Sequence, residues 1–337
     1  MIELRAHLVA EPEAELAERL ERRLDARIAI TYGTEPPPQA NYDVLISGRP
    51  SEALLAASPR LTALLIPYAG LPAKTRELLR RWPQIAVHNL HHNAGPAAEL
   101  AVALMLAAAK FLVPLDRALR RHDWSPRYAP NPSLLLAGKT ALVLGYGAIG
   151  HRVARACAGL GMEVIALRRH PRRSPAVARP EPEASPQVHV IGREQLADSL
   201  PRATALIVCL PLTEATEGLV GARELALVRR EAVLVNVGRG PVVAEEALYA
   251  RLRSGELRAA GLDVWYNYPA DPASRTQTPP SRLPFHELEN VVLSPHRGGA
   301  LGMQESERMR MDALAESLNA AVAGREMPHR VDVEAGY

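Results

Sequence analysis

The stretch Leu142-Val143-Leu144-Gly145-Tyr146-Gly147-Ala148-Ile149-Gly150 decides the fold of this chain. An apolar strand pattern runs into a glycine-rich turn, and a helical pattern continues from residue 151 to 160. Gly145 permits the tight turn, Gly147 lets a pyrophosphate approach the backbone, and Gly150 lets the helix pack close to the strand. The helix N-terminus also offers N–H groups to phosphates. Glycine-rich turns occur for structural reasons too, but this position between strand and helix favours a dinucleotide site.

Strand and helix patterns alternate on both sides of this motif. Strands are predicted at residues 4–9, 28–32, 44–46, 63–67, 85–89, 140–144, 163–167, 188–191, 205–209, 232–237, 261–264 and 291–293. Such alternation is typical of parallel sheets covered by helices, and 337 residues suit two domains. Pro96 is predicted to open one long helix over residues 97–119, which could bridge two domains, and a last helix is predicted over 302–323. Residues 168–186, rich in Arg and Pro, are predicted to form a surface loop.

Composition argues against several classes of partner. A net charge of +3 without basic runs that alternate with aromatic residues gives no support for nucleic-acid binding. No apolar run reaches membrane-spanning length, and the first residues carry no signal-peptide pattern. Cys157 and Cys209 occupy positions typical of small buried hydrophobic residues, which fits a reducing cytoplasm.

Three polar residues follow buried strand patterns in the second half of the chain. Arg239 lies between two glycines after one strand, and its planar, always-charged guanidinium suits a substrate carboxylate. Asp263 ends the next strand, where it either accepts a hydrogen bond from the cofactor amide, orients a neighbour or caps a loop. His296 follows the last strand and can exchange a proton near neutral pH. Ligands bind outside the carboxyl ends of strands in open α/β sheets, so these residues predict a catalytic cleft.

A cluster of three histidines precedes the predicted long helix. His88, His91 and His92 invite a metal interpretation, but no carboxylate or cysteine completes a recognisable ligand spacing, so no metal site is predicted. In a cleft, His92 or Asn93 would instead contact the substrate or the nicotinamide.

The glycine turn and the segments around Arg239, Asp263 and His296, in this order, resemble the D-isomer-specific 2-hydroxyacid dehydrogenases. The similarity covers most of residues 85–325, and residues 1–84 match in organisation only. Further matching positions are Asn93, Ala98-Glu99, residues 210–216 and residues 245–248.

The resemblance implies an α/β fold with two Rossmann-like, doubly wound parallel-sheet domains. The cofactor domain, residues 97–300, would be inserted in a substrate domain made of residues 1–96 and 301–337. Family members usually pair as homodimers through the cofactor domain. The implied reaction is hydride transfer between a nicotinamide cofactor and a small D-2-hydroxy acid or 2-oxo acid.

The resemblance also implies roles for individual residues. Arg239 would bind and polarise the substrate, His296 would be the general acid and base, and Asp263 would lie near the nicotinamide. Substrate contacts would come from Tyr68, Ala69, Gly70, Asn93 and Arg239, although the loop at residues 67–71 departs from the usual glycine-and-aspartate pattern. Cofactor contacts would come from Gly145, Tyr146, Gly147, Ala148, Ile149, Gly150, Arg168, Arg169, Leu210, Pro211, Thr216, Val237, Gly238, Arg239, Asp263, His296 and Gly298.

Tyr268 occupies the position of the family's catalytic glutamate. A carboxylate there would raise the pKa of His296, whereas tyrosine carries no charge near neutral pH. Three explanations stay open: Glu287 or Asp271 approaches His296, the histidine works with a lower pKa, or the protein binds cofactor without efficient turnover. Formate dehydrogenases of the same superfamily have glutamine at this position, so a formate-like or phosphite-like hydride donor is an alternative, as is a dinucleotide-sensing binding protein.

The end of the second cofactor-domain strand bears on the choice between NADP and NAD. Relatives that prefer NAD carry an acidic residue there, which binds the ribose 2′-hydroxyl. Here Arg168 and Arg169 follow the strand, with Arg172 and Arg173 beyond them. Cations at this place would hold a 2′-phosphate, so NADP is the preferred cofactor and NAD the alternative. The competing interpretation is a solvated basic loop.

Overall fold

The computed structural model describes residues 2–169 and 188–337. The chain folds into two compact units, one formed by Met1–Asn93 together with Ala300–Tyr337 and the other by Ala94–Gly299. The first unit is therefore built from two separate stretches of chain. Each unit has its own parallel sheet, with helices joining the strands. The predicted α/β fold is thereby confirmed.

The first unit contains a five-stranded sheet in which every strand is parallel to its neighbours, in the order β2-β1-β3-β4-β5. Its strands are β1 (Leu4–Leu8), β2 (Ile28–Tyr32), β3 (Val44–Ile46), β4 (Ala63–Ile66) and β5 (Ala86–Asn89). Its helices are α1 (Ala14–Arg23), α2 (Glu52–Ala57), α3 (Ala73–Leu79) and, from the second stretch of chain, α11 (Gln304–Val322). Strand β1 lies beside the point where the strand order reverses, as in doubly wound folds.

The second unit contains a seven-stranded parallel sheet in the order β12-β11-β10-β9-β6-β7-β8. Its strands are β6 (Thr140–Leu144), β7 (Glu163–Leu167), β8 (Val188–Ile191), β9 (Ala203–Val208), β10 (Val233–Asn236), β11 (Ala259–Leu262) and β12 (Val291–Leu293). Its helices are α4 (Ala94–Ala109), α5 (Leu112–Arg120), α6 (Ser125–Tyr128), α7 (Ala148–Gly159), α8 (Leu196–Ser199), α9 (Ala222–Leu227) and α10 (Glu245–Arg253). The order is that of a dinucleotide-binding Rossmann sheet, with the reversal between β6 and β9.

Helices cover both faces of this second sheet, which explains its continuous apolar strands. Every residue of β9 and β10 is buried, as expected of a parallel sheet between two layers of helices. One layer includes α4 and α7, which pack against each other. At the contact of α4 with β11, a Cβ atom at Gly261 would lie 2.8 Å from Cβ of Leu104, so the absence of a side chain permits this close approach.

The single long helix predicted over residues 97–119 is wrong. Helix α4 already begins at Ala94 and ends at Ala109, and α5 continues at an angle of 68° to it. Phe111, with φ of 52°, adopts the left-handed conformation between them. The physical reason is Pro114, which has no N–H and would clash with the carbonyl of the residue four positions earlier. Breaking the helix at Phe111 places Pro114 in the first turn of α5, where proline is tolerated.

Among the described residues, no single helix is long and apolar enough to cross a membrane. Only α4 and α5 taken together pass such a test, and the chain is sharply bent between them.

Candidate active site

The carboxyl ends of all the strands in the second unit lie at one edge of its sheet, because the strands are parallel. The glycine turn follows β6, Arg168 follows β7, and Leu210 lies just beyond β9. Arg239, Asp263 and His296 follow β10, β11 and β12, which are adjacent strands. The fold therefore brings the three predicted catalytic side chains to neighbouring positions at this edge.

The turn after β6 combines two sterically constrained glycines with one glycine that borders open space. Gly145 has φ of 101°, a conformation that favours glycine, and a Cβ atom at Gly150 would lie only 1.8 Å from the carbonyl oxygen of Gly145. A Cβ atom at Gly147 would instead meet nothing within 4 Å. Gly147 directly precedes α7, so the open space lies beside the free N–H groups at the N-terminus of this helix. Gly145 is thus required by its backbone conformation and Gly150 by close packing, whereas Gly147 has open space beside it, as the predicted phosphate contact needs.

The loop that carries Arg239 is fixed by its neighbours. The side chain of Asn236 donates to the carbonyl of Arg239 (3.0 Å) and accepts from the N–H of Gly238 (3.1 Å). Cβ atoms at Gly238 and Gly240 would lie 2.4 Å from the carbonyl oxygen of Leu210 and 2.3 Å from that of Trp265. Glycine is required on both sides of the arginine for steric reasons.

The Arg239 guanidinium is half-buried, and its Nη1 donates to the carbonyl of Gly238 at 2.7 Å. Its other N–H groups have no acceptor among the described residues. A guanidinium held in this way can bind a carboxylate through two parallel hydrogen bonds.

Asp263 is 1% exposed and organises the segment that follows β12. Its Oδ1 accepts from the hydroxyl of Ser294 (2.5 Å) and the N–H of Arg297 (2.7 Å), and its Oδ2 accepts from the N–H of Gly298 (2.8 Å). These partners lie on both sides of His296. The carboxylate therefore determines where the histidine backbone lies.

His296 adopts an unusual backbone conformation for a residue with a side chain. Its φ is 57°, in the left-handed region, and the hydrogen bonds to Asp263 hold the surrounding turn in place. The side chain is exposed, which allows proton exchange with a ligand. Desolvation lowers the pKa of His296, and the charge of Arg239 lowers it further, while that of Asp263 opposes the change.

Tyr268 lies against His296 in the position where the resemblance expects a glutamate. The two ring centroids are 5.5 Å apart with an interplanar angle of 56°. The tyrosine hydroxyl accepts from the N–H of Trp265 at 3.1 Å. Desolvation raises the pKa of Tyr268, so the phenol carries no charge near neutral pH.

Two further loops occupy the edge where the cofactor is expected. The Thr216 hydroxyl donates to the carbonyl of Pro211 (2.6 Å) and accepts from the N–H of Thr213 (2.8 Å), which closes the loop after β9. Arg168 and Arg169 follow β7, and the N–H of Arg168 donates to the carbonyl of Ile191. Arg172 and Arg173 lie outside the described residues, as does most of the loop predicted over 168–186.

The first unit holds the predicted substrate loop at the carboxyl end of its own β4. Gly70 has φ of 90°, and a Cβ atom at Gly48 would lie 1.9 Å from the hydroxyl oxygen of Tyr68. Burial raises the pKa of Tyr68, and the nearby guanidinium of Arg49 opposes this. Ala69 lies in the same loop, whereas Asn93 is half-buried beyond β5. Arg49, a cation beside this loop, was missed from the sequence, although Gly48-Arg49 after a strand repeats the Gly238-Arg239 pattern.

The three clustered histidines have separate surroundings within the first unit. His88 is hydrogen-bonded through Nδ1 to the carbonyl of Pro328, and the His91 ring stacks on that of His329 at 4.1 Å. Desolvation lowers the pKa of His92 to about 4, and Arg310 adds to this effect. In the part of the chain that the structure describes, no group of three or more His, Cys, Asp or Glu residues is placed to hold a metal ion.

Comparison with known proteins agrees with this architecture. The model of the "D-isomer specific 2-hydroxyacid dehydrogenase, NAD binding domain" matches residues 102–298. A D-3-phosphoglycerate dehydrogenase of Mycobacterium leprae is 33% identical over 302 residues, which cover 89% of this chain and 52% of that protein. A glyoxylate reductase of Aeropyrum pernix is 31% identical over 349 residues, which cover 98% of this chain and 96% of that protein. The chain thus spans about half the length of the phosphoglycerate dehydrogenases that it matches.

Solved structures share the fold. The structure of a D-isomer specific 2-hydroxyacid dehydrogenase from Xanthobacter autotrophicus Py2, in complex with NADPH and MES, has a TM-score of 0.76 with this chain. The two sequences are 23% identical, and the match covers 99% of both chains. The family model covers residues 102–298, a range that contains the glycine turn and the three strand-end residues. Two relatives are more than 30% identical to this chain. The chain belongs to the D-isomer specific 2-hydroxyacid dehydrogenase family.

Proposed function

We propose that this protein is an oxidoreductase that transfers a hydride between a nicotinamide dinucleotide and carbon 2 of a small D-2-hydroxy acid or 2-oxo acid. The observation that carries the proposal is the arrangement after three adjacent strands. Arg239, Asp263 and His296 follow these strands in order, and the Asp263 carboxylate is hydrogen-bonded to backbone beyond His296. An anion-binding group and a proton-exchanging group thus occupy one rigid edge.

In this proposal the two units have different tasks. The unit formed by Ala94–Gly299 binds the dinucleotide, because it contains the glycine turn with open space at Gly147. The unit formed by Met1–Asn93 and Ala300–Tyr337 supplies further substrate contacts from Tyr68, Ala69, Gly70 and Asn93.

Each side chain has a defined part in the reaction. The bound dinucleotide supplies or accepts the hydride at its nicotinamide ring. Arg239 binds the substrate carboxylate and stabilises the negative charge that develops on the substrate oxygen. In the reductive direction the protonated imidazole of His296 donates its proton to this oxygen, and in the oxidative direction the neutral imidazole removes it. Asp263 holds the backbone that carries His296 and acts without exchanging a proton.

Oxidation of NADPH and NADH with glyoxylate, hydroxypyruvate, pyruvate and phenylpyruvate tests the activity. His296→Asn is the first control variant, because asparagine tolerates the left-handed conformation better than alanine does. Arg239→Ala is the second. We expect both variants to lose turnover while their dinucleotide affinity stays within a few-fold of the wild type. Loss of cofactor affinity in Arg239→Ala would contradict the role given to this residue.

We further propose that NADP is preferred over NAD. The support is the pair Arg168 and Arg169 after β7, where a cation would bind the 2′-phosphate and where no acidic residue stands. The double variant Arg168→Ala/Arg169→Ala is expected to lower kcat/KM for NADPH at least tenfold and to leave that for NADH nearly unchanged. Equal losses with both cofactors would overturn the preference.

A homodimer through the second unit is also proposed. Large apolar side chains are exposed on and around α5 and α6, namely Leu112, Leu119, Trp124, Tyr128 and Leu135. Exposed apolar patches of this kind mark protein interfaces. Light scattering is expected to give the mass of a dimer for the wild type and that of a monomer for Trp124→Ser/Tyr128→Ser. Leu301→Ser removes an equally exposed side chain from the first unit and is expected to stay dimeric.

A reducing, cytoplasmic location is proposed from the cysteines. Cys157 and Cys209 are both free, and desolvation raises the pKa of each to about 12, which keeps them as unreactive thiols. Cell fractionation with a tagged chain tests this proposal.

Tyr268 supports a second candidate, a dinucleotide-sensing protein without turnover, because it places no charge beside His296. Tight NADPH binding without activity on the 2-oxo acids would favour this candidate, unless formate or phosphite serves as the hydride donor. Formate and phosphite are therefore added to the same panel with NADP and NAD as acceptors.

A further inference from the structure

The segment that carries Tyr268 is firmly anchored. The indole Nε1 of Trp265 donates to the carbonyl of Ser294 at 2.8 Å, directly beside the turn that contains His296. The N–H groups of Tyr266 and Asn267 both donate to the carbonyl of Pro280 at 3.2 and 2.9 Å, and the Tyr266 hydroxyl donates to the carbonyl of Val243. The three residues that precede Tyr268 are therefore held in place by hydrogen bonds.

Tyr268 itself is fixed at both ends of its side chain. Its hydroxyl oxygen is held by the N–H of Trp265, and its ring lies against the imidazole of His296. The side chain is 48% exposed, so one part of the ring faces solvent while another part contacts the histidine.

Among the residues that the structure describes, no carboxylate other than that of Asp263 influences the pKa of His296. The charges that influence the histidine are those of Arg239 and Asp263, and both Asp263 oxygens already accept hydrogen bonds from the turn after β12. Asp271 caps its own turn by accepting from the N–H of Ser274, and Glu287 lies in an exposed turn. Neither contributes to the electrostatic surroundings of the imidazole.

We propose that Tyr268 is a positioning residue that holds the His296 imidazole by ring contact, without supplying the negative charge that a carboxylate would bring. The proposal rests on the proposed function, in which His296 exchanges the proton. A glutamate at this position would form an ion pair with the protonated imidazole, whereas Tyr268 makes an aromatic contact with it. The histidine is thus oriented for the substrate while its protonated form gains no partner.

This arrangement has a definite consequence for the pH dependence of turnover. Desolvation and Arg239 both favour the neutral imidazole. Reduction of a 2-oxo acid needs the protonated form, so its rate rises as pH falls through the lowered pKa of His296. Oxidation of the hydroxy acid needs the neutral form, so its rate has already reached its plateau at neutral pH. A carboxylate at residue 268 would raise the pKa of His296 and so move the pH–rate profiles of both reactions to higher pH.

Nuclear magnetic resonance of histidine-labelled protein tests the proposal without any substrate. The His296 signal, assigned by its loss in His296→Asn, is titrated in the wild type, Tyr268→Glu and Tyr268→Gln. Glutamine is the matched control, because it has the size of glutamate without the charge. We expect the His296 pKa below 6.5 in the wild type and in Tyr268→Gln, and higher by about one unit or more in Tyr268→Glu.

Kinetics then separates positioning from a structural role. Tyr268→Ala removes the ring and is expected to lower kcat at least tenfold with little change in KM. Tyr268→Phe keeps the ring and is expected to retain most of the kcat. The acid limb of the reductive profile is expected to follow the His296 pKa in Tyr268→Glu.

An unchanged His296 pKa in Tyr268→Glu, with a wild-type melting curve, would overturn the proposal, and so would an unaltered kcat in Tyr268→Ala. If the proposed activity is absent altogether, the titration still reports on the contact between the ring and the imidazole. Failure of the function is thereby distinguished from failure of this inference.

Discussion

The glycine turn after β6 shows that one residue type serves two purposes within six positions. A methyl group at Gly150 would overlap the carbonyl of Gly145, whereas a methyl group at Gly147 would enter open space. We expect Gly150→Ala to destabilise the second unit by about 1–3 kcal/mol, because α7 must move away from the turn. Gly147→Ala is expected to keep the wild-type melting temperature and to weaken NADPH binding at least tenfold. Thermal melting and fluorescence titration measure both effects, and wild-type affinity in Gly147→Ala would refute the phosphate assignment.

Asp263 is the second residue whose substitution has a sharp expected result. An asparagine keeps one acceptor oxygen, so at least one N–H of Arg297 or Gly298 would face the amide NH2 group. Leaving a buried donor without an acceptor costs about 1–3 kcal/mol. We expect Asp263→Asn to lower the free energy of unfolding by this amount and kcat at least tenfold.

The matched control is Asp271→Asn. This carboxylate is exposed and accepts from the N–H of Ser274 and nothing deeper. It is expected to behave like the wild type in denaturant unfolding and in turnover. Equal effects of the two substitutions would contradict the positioning role of Asp263.

At the scale of elements, the local sequence pattern predicts the strands well, but it does not specify the order in which they pair. The predicted strands at 28–32, 44–46, 140–144, 163–167, 188–191 and 291–293 have the observed bounds, because each is a compact apolar run between polar turns. Strand order depends on pairing between residues far apart in the chain, and local pattern carries no record of it. The error over the long helix has a different cause. Pro114 is incompatible with a helix interior, but the continuous apolar pattern around it favoured an unbroken helix.

In the candidate site, too, some residues could be predicted from the local sequence and others could not. The sequence predicts Arg239 and His296 as candidates because each follows a strand pattern and carries a side chain suited to the proposed chemistry, and the structure places both after adjacent strands. The supporting residues Ser294 and Trp265 were not predictable, because their hydrogen bonds join the ends of two different strands. The hydrogen bonds of Asn236 lie within its own loop, but they depend on a turn geometry that the local pattern does not specify. The contacts of Ser294 and Trp265 depend on the register of β11 and β12.

Helix α11 gives a prediction at this scale. The side chain of Asn319 accepts from the N–H of Asp25 and donates to the carbonyl of Arg23, both at 2.8 Å, so it joins α11 to the end of α1. Hydrogen bonds of this kind contribute about 1 kcal/mol each. We expect Asn319→Ala to destabilise the first unit by about 1–2 kcal/mol in urea unfolding, with NADPH binding unchanged.

Glu18→Ala is the control for that experiment. It removes an exposed ion pair with Arg22 on α1, of the type that contributes less than about 1 kcal/mol. If this variant were destabilised as much as Asn319→Ala, the joint between α1 and α11 would have no special importance.

At the scale of the whole molecule, we expect histidines that are partly shielded from water to determine how stability depends on pH. Desolvation is the largest cause that lowers the pKa of His7, His88, His92, His296 and His329. As pH falls below 6.5, the unfolded chain binds protons before the folded chain does, so the free energy of unfolding decreases. The loss continues to about pH 4, the pKa of His92. Melting temperatures should be level from pH 8 to 7 and fall steadily from pH 6.5 to 4.

Carboxylates affect stability in a lower pH range than the histidines do. The guanidinium of Arg27 lowers the pKa of Asp25 to about 2, so this contribution to stability is present at neutral pH and is lost only below the ordinary aspartate value of 3.8. A melting temperature that stays constant between pH 7 and 5 and falls only below pH 4 would therefore show that the histidines do not control acid stability.

The division of the first unit into two stretches of chain has a consequence during synthesis. Residues Met311, Leu314 and Leu318 of α11 complete the apolar core that contains Ala6 and Leu20. A ribosome makes the first stretch early, yet the helix that covers it emerges only after the whole of Ala94–Gly299 has been translated. The nascent chain must keep an apolar sheet face uncovered throughout that interval, when it is most open to chaperones and to aggregation.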